Sequence, residues 1–374
     1  MDTKTSKLPR WLDGRVIATV MVTKALTLLF GIHAFEVLEN RSVNWAGGVL
    51  EMWNRWDASH YLKLAEQGYT AVGDDRFLIV FFPMYPLLVS IFGGVTGNYL
   101  VGAFFVTTLA SLGLGLSLRE LVKLDHSEKI AQASVLFLFI FPTSYFLHIP
   151  YTESLFLALT VGAFLAARKR TWLLAGILGG LACATRINGL ILVPALAFEV
   201  WEQYGESKEF DRKWLFLLLV PAGFAAYLLL NYLVAGDPLI FLTYQREHWY
   251  RYFRWPWQGV WETIKLIDNQ KAVDSHMVGI QESFFVAIGL LALLLGWRKL
   301  RPSYRIWMAL NWLLFVSTSF VISVPRYTLT LFPIFILMGA AARKYSTLNV
   351  LFIVWSLLFM AAFISQFVRG MWAF

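Results

Sequence analysis

The chain has 374 residues, 58% of them hydrophobic and only 15% charged, with 31 Phe, 16 Trp, 15 Tyr and a net charge of +8. A water-exposed surface needs about a quarter of its residues charged, so this composition, with a mean hydropathy of +0.60, excludes a disordered chain, a secreted disulfide scaffold and an ordinary cytosolic enzyme. The single cysteine, Cys183, has no partner for an intrachain bridge, and the positive balance fits the cytoplasmic loops of a polytopic membrane protein rather than nucleic acid.

Lys4, Lys7, Arg10 and Arg15 precede an apolar run from Val16 to Val37. At about 20 residues per crossing this run spans a bilayer, and it is too long for a signal-peptide core. It reads as an uncleaved anchor with its N-terminus inside, which exports the polar, aromatic stretch of residues 38–78. Eleven further apolar runs follow, from Val80 to Val95 through to Leu348 to Phe367. Several are too short for a full span, so half-helices and re-entrant pieces lining a cavity are expected among them. Basic clusters at Arg168 to Arg170, Lys208 to Lys213, Arg298 to Arg305 and Arg343 to Lys344 mark the inner face. Keeping Arg119, Lys123 and Lys129 inside as well requires that one run between Val80 and Leu118 not cross fully. The alternative reads residues 172–200 as one helix. The expected fold is therefore an all-α polytopic membrane protein of roughly 10–12 transmembrane or half-membrane helices. It forms a single integral domain over residues 1–374, with a first exoplasmic loop at 38–78 and an aromatic exoplasmic loop at 235–283. That second loop, with Trp249, Tyr250, Tyr252, Phe253, Trp255, Trp257 and Trp261, belongs at the headgroup level of the outer interface.

Five stretches carry chemistry. In Trp56-Asp57-Ala-Ser-His60-Tyr61 a carboxylate stands beside an aromatic wall and one helical turn before an imidazole. That arrangement suits acid–base work, or Asp57 simply caps the helix that follows. Phe82-Pro83-Met84-Tyr85-Pro86 forces an extended or kinked helix entry. Glu153, in Tyr151-Thr152-Glu153-Ser154, is an ionisable group between apolar runs and needs a cavity or a partner. Arg186, in Thr185-Arg186-Ile187-Asn188-Gly189, offers a planar fork either to a lipid phosphate or to Glu153. Arg326, in Pro325-Arg326-Tyr327, poses the same question, with interfacial snorkelling as the simpler answer. The six histidines are scattered without metal-ligand spacing, and no nucleotide-binding glycine motif occurs, so neither a metal nor a cofactor is expected.

Taken in order, Trp56-Asp57-Ala58 with His60-Tyr61, Phe82-Pro83-x-Tyr85-Pro86, Phe141-Pro142-Thr143-Ser144 with Tyr151 to Ser154, Thr185 to Gly189, and Arg326-Tyr327 resemble the PIG-V family, which includes GPI mannosyltransferase II. The shorter loops point to a prokaryotic relative. The resemblance implies a GT-C glycosyltransferase: a helical membrane enzyme that takes a sugar, typically mannose, from a polyprenyl-phosphate carrier and passes it to a lipid-linked or glycan acceptor on the exoplasmic side. It also implies that Asp57 is the catalytic base. The substrate-binding set then comprises Trp56, His60, Tyr61, Tyr85, Tyr151, Glu153, Arg186, Asn188, Arg326 and Tyr327, without a metal. A lipid transporter or flippase also needs buried charges and broken helices, but it predicts inverted repeats and charges near the bilayer midplane.

Overall fold

The computed structural model describes residues 12–45 and 47–374. Lys4, Lys7 and Arg10, on which the anchor's orientation partly rests, lie outside them. Helix α1 (Gly14–Glu39) starts at Asp13, whose carboxylate accepts from the Arg15 and Val16 amides, and stops where Asn40 turns left-handed at φ 47°. The chain then makes α2 (Gly48–Glu51), α3 (Asp57–Gln67) and α4 (Met84–Thr96) before α5 (Tyr99–Val122).

Helices α1 and α5 run antiparallel. A side chain on Gly115 would meet Val16 and Val20, while Lys24 lies 5.4 Å over the Phe104 ring, so position numbers fall along α5 as they rise along α1. Arg119 closes the arrangement with an ion pair to Asp13 at 3.1 Å. Each helix is long and apolar enough to cross a membrane, so residues 40–98 begin and end at the same end of the bundle. The Val80 to Val95 run is the one that fails to cross. A 3-10 turn, Asp74–Val80, meets α4 at 112°, because Pro83 and Pro86 deny that turn a continuous hydrogen-bond ladder.

Next come two hairpins of half-length helices. Helix α6 (Glu128–Ile140) leaves the Asp13 end of the bundle and α7 (Glu153–Arg168) returns to it, as the Arg168–Asp125 ion pair at 2.7 Å shows. Between them residues 141–152 form a wholly buried irregular crossing. Its backbone is held by side chains: Ser111 donates to the Leu147 carbonyl at 2.5 Å and Lys24 to the His148 carbonyl at 3.0 Å. This meets the requirement that non-helical backbone at membrane depth find partners inside the protein. Helices α8 (Trp172–Cys183) and α9 (Leu192–Ser207) make the second hairpin. The Trp172 indole donates to Gln203 at 3.1 Å, which excludes a single helix over 172–200. Gly189 permits the reversal, since a side chain there would overlap the backbone of Cys183.

A third full span, Arg212–Ala235, begins as a 3-10 turn and continues as α10 (Val220–Ala235). It lies so close to α8 that a methyl on Gly223 would overlap the Gly180 carbonyl, the small-residue contact that lets membrane helices pack. Then follow α11 (Ile240–Glu247), α12 (Pro256–Lys265) and α13 (Ser283–Gly296). The aromatic loop ends earlier than residue 283, because a π-helical stretch, Val273–Glu282, runs straight into α13 and makes one span, Val273–Gly296. Asp274, Ser275, His276, Gln281 and Glu282 hide this segment from a hydropathy reading. The chain closes with α14 (Pro302–Val316), α15 (Val324–Tyr327), α16 (Pro333–Lys344) and α17 (Ser346–Val368). Among the described residues five helices are long and apolar enough to cross a membrane, and two sharply bent helix pairs are apolar enough without being straight spans. The protein is an integral, multi-pass, all-helical membrane protein with no strand among the described residues.

Every basic cluster gathers at the end defined by Asp13 and Arg119. The opposite end holds residues 40–98, 141–153, 184–191, 236–272 and 317–332. The sixteen residues of α7, rising 1.5 Å each, put Glu153 about 22 Å from Arg168, toward the far side of a hydrocarbon core of about 30 Å.

Candidate active site

At that far end the signal-bearing segments converge. Trp56 has φ 52°, a left-handed backbone that a large residue adopts only when its surroundings insist. Its ring packs edge-on against Trp372. The turn swings Asp57 away from its own helix: Asp57 Oδ2 accepts from Arg326 at 2.9 Å, and no side-chain cap closes the start of α3. The capping role for Asp57 is thereby corrected, because a guanidinium supplies a stronger partner than a backbone amide.

Behind Asp57 the charges alternate. Arg326 lies 3.4 Å from Glu153 Oε1, at ion-pair distance without hydrogen-bond geometry. Arg186 donates to the same oxygen at 2.6 Å and to the Thr152 hydroxyl at 3.0 Å. The Arg186–Glu153 pairing weighed from sequence therefore exists. Snorkelling of Arg326 does not, since its side chain is 8% exposed and faces two carboxylates. The Asp57 side chain is 26% exposed and that of Glu153 1%, so Asp57 stands at the mouth of the site and Glu153 at its floor.

Aromatic rings wall the cluster. Tyr61 meets Phe81, Tyr85 and Tyr151 edge-on at 5.2, 5.2 and 6.3 Å, and the Tyr151 hydroxyl donates to the Arg55 carbonyl, tying the floor to the Asp57 turn. His60 packs against Phe81 and Trp249. Burial lowers its imidazole below the ordinary value, against an opposing pull from Asp57, so it is neutral near pH 7. Tyr327 sits among three guanidinium groups, with Arg186 5.2 Å, Arg326 5.3 Å and Arg251 5.9 Å from its ring centre. Asn188 stands slightly apart, buried and donating to Asn311 of α14 at 3.1 Å. Its place is to pin the α8–α9 reversal rather than to join the charges.

Two members of this site carry no signal in the motifs. Arg251, from the aromatic loop, donates to the Tyr327 hydroxyl at 3.2 Å and the Ile322 carbonyl at 3.1 Å. Glu282, wholly buried, accepts from the Ser323 and Val324 amides. A carboxylate inside an apolar span and an arginine amid interfacial aromatics were the available clues. Among the described residues no group of three or more His, Cys, Asp or Glu could hold a metal.

Comparison with solved structures shows that this helical membrane fold is shared. ArnT from Cupriavidus metallidurans bound to undecaprenyl phosphate superposes with TM-score 0.53 at 17% identity, covering 87% of this chain and 60% of that one. Its apo state gives 0.51 at 16% identity, with the same coverage. Residues 82–231, less than half of the chain, match the family model for dolichyl-phosphate-mannose-protein mannosyltransferases. GPI alpha-1,6-mannosyltransferase 2 of Mus musculus is 32% identical over 156 residues, 38% of this chain and 31% of that protein. The Rattus norvegicus protein of that name is 33% identical over 152 residues, 37% of this chain and 30% of its own. The resemblance to the PIG-V family read from the motifs is thus matched by sequence similarity over 37–38% of this chain, and the matches span less than a third of those relatives' length.

Proposed function

We propose that this protein is a membrane glycosyltransferase that moves a sugar, mannose in the first instance, from a polyprenyl-phosphate carrier to a lipid-linked or glycan acceptor on the exoplasmic side, with inversion. The observation that carries the reading is the Asp57–Arg326–Glu153–Arg186 chain of charges at the end of the bundle opposite the basic clusters. An inverting transfer needs one base at the acceptor hydroxyl and cations at the departing phosphate. The hydroxyl oxygen forms the new bond to the anomeric carbon, the carbon–oxygen bond to phosphate breaks with its electron pair on the lipid phosphate, and the acceptor proton passes to Asp57. Lipid phosphate leaves as a stable anion, so no general acid is required, and Arg186 and Arg326 hold its charge. Glu153 orients both arginines from behind. Trp56, His60, Tyr61, Tyr85 and Tyr151 form an aromatic wall beside the charges, and Tyr327 aligns the guanidinium groups. The similarity to GPI alpha-1,6-mannosyltransferase 2 and to a structure holding undecaprenyl phosphate supports the donor class. A transporter would carry its charges near the midplane, where this cluster does not lie.

Purified protein incubated with dolichyl phosphate mannose and a mixed glycolipid acceptor should release dolichyl phosphate and give a product of inverted anomeric configuration. Hydrolysis or transport without a glycosylated product contradicts the reading. The side of the membrane is tested by replacing Cys183 and introducing single cysteines at Asp57 and Lys299. An impermeant thiol reagent on right-side-out vesicles should label the first and spare the second, and equal labelling contradicts the exoplasmic placement.

A further inference from the structure

The turn that carries Arg326 is built from outside itself. Helix α15 has only four residues, too few to hold its shape by its own hydrogen bonds. It is entered through Ser323 in the left-handed region at φ 67°. Pro325 has no amide hydrogen, so Ser323 and Val324 offer the free donors at the entry to the turn. Both point at Glu282, at 2.6 Å to Oε1 and 2.7 Å to Oε2. That carboxylate is fully buried and has no ion-pair partner among the described residues. Burying a carboxyl group in that manner is expensive unless it is hydrogen-bonded, and both of its oxygens are committed to this one turn.

The backbone that delivers Glu282 is itself unusual. It is the last residue of a ten-residue π-helix, a form that normally occurs as single-turn bulges and marks functional places in helices. Inserting i→i+5 turns rotates the following side chains relative to an α-helix, and Glu282 stands where that rotation ends. Residues 319–327, which lead into and through the α15 turn, are also held from the aromatic loop. Thr263 bonds the Val321 amide and carbonyl, Ser319 bonds the Tyr250 and Tyr252 carbonyls, and Arg251 reaches Ile322 and Tyr327.

We propose that Glu282 is a positioning residue for the donor site: by gripping the Ser323 and Val324 amides it aims Arg326 between Asp57 and the place of the carrier phosphate. This rests on the glycosyltransferase reading. Glu282 touches neither the sugar nor the phosphate, and the effect of changing it passes through Arg326.

Glu282→Gln keeps the volume and one accepting oxygen but turns an NH2 group toward the other amide. Losing a buried hydrogen bond of this kind, with the amide left facing another donor, corresponds to about a tenfold effect. Affinity for dolichyl phosphate, read by thermal shift of the purified full-length protein, should weaken by about that factor, with the donor KM rising in parallel and kcat changing much less. The discriminating measurement is a double-mutant cycle with Arg326→Lys. Once Arg326 is replaced, Glu282→Gln should add little further loss. Full additivity, or unchanged affinity in Glu282→Gln, overturns the proposal and leaves Glu282 a purely structural cap. If Glu282→Gln does not fold, Glu282→Asp, which keeps the charge and loses reach, is read by the same criteria. Wild-type protein that neither binds dolichyl phosphate nor uses a polyprenyl-phosphate sugar contradicts the glycosyltransferase reading itself, a different failure from wild type binding normally and the variant binding equally well.

Discussion

The two ends of the bundle both carry arginine–carboxylate networks, and they are built differently. At the basic end the pairs are two-pronged: Arg119 reaches both oxygens of Glu128 at 2.8 and 2.9 Å, Arg168 both of Asp125 at 2.7 and 2.8 Å, and Arg301 both of Glu199 at 2.9 Å. At the far end Arg326 meets Asp57 by one bond and Arg186 meets Glu153 by one bond, while Glu153 Oε2 and Arg326 Nε are buried without a hydrogen-bond partner. Saturated pairs hold helix ends together. A pair with spare donors and acceptors, kept out of water, costs stability and suits a site where a substrate supplies the missing partner.

That contrast predicts opposite phenotypes. The largest stability effect belongs to Arg119→Ala, which removes the ion pairs joining α5 to Asp13 and to Glu128 of α6. Breaking a buried pair costs about 3 kcal/mol or more, so the midpoint of thermal unfolding in detergent should fall clearly while turnover per folded molecule stays near wild type. A variant equally stable but inactive would reverse the roles of the two ends. Arg186→Lys should do the converse, raising the donor KM by roughly tenfold with little change in unfolding midpoint, since the charge remains and the fork is lost. Normal transfer at low donor concentration would make Arg186 merely Glu153's structural partner. The smallest effect is expected for the Lys63–Asp75 pair, 2.7 Å apart with both side chains 42% exposed. Neutralising it should change stability by less than about 1 kcal/mol, and a larger effect would mean that residues 74–80 brace the site.

The membrane class, the gathering of the basic clusters at one end, an incomplete crossing between Val80 and Leu118 and the reversal at Arg186 were all legible, because hydropathy, proline and charge act locally. The convergence of Asp57 with Arg326, 269 positions apart, was not, since no local rule pairs them; each came to notice on its own neighbours. Helical spacing gave Asp57 a capping role by default, and the strained turn at Trp56 cancelled it. Arg251 was masked by its aromatic neighbours, whose interfacial character explained the loop without it. Glu282 was masked because a lone acid beside an apolar run reads as the loop's last polar residue, and a π-helix has no sequence signature to say otherwise.

The central claim is that Asp57 takes the acceptor proton, and Asp57→Asn tests it most directly. Asparagine is nearly the same size, still accepts a hydrogen bond from Arg326, and cannot take a proton at neutral pH. General-base catalysis contributes about 100-fold to 10,000-fold, so the purified variant should lose turnover by that range while keeping the wild-type unfolding midpoint and its binding of dolichyl phosphate. Near-normal transfer by folded Asp57→Asn protein would contradict the account and move the base to Glu153 or His60.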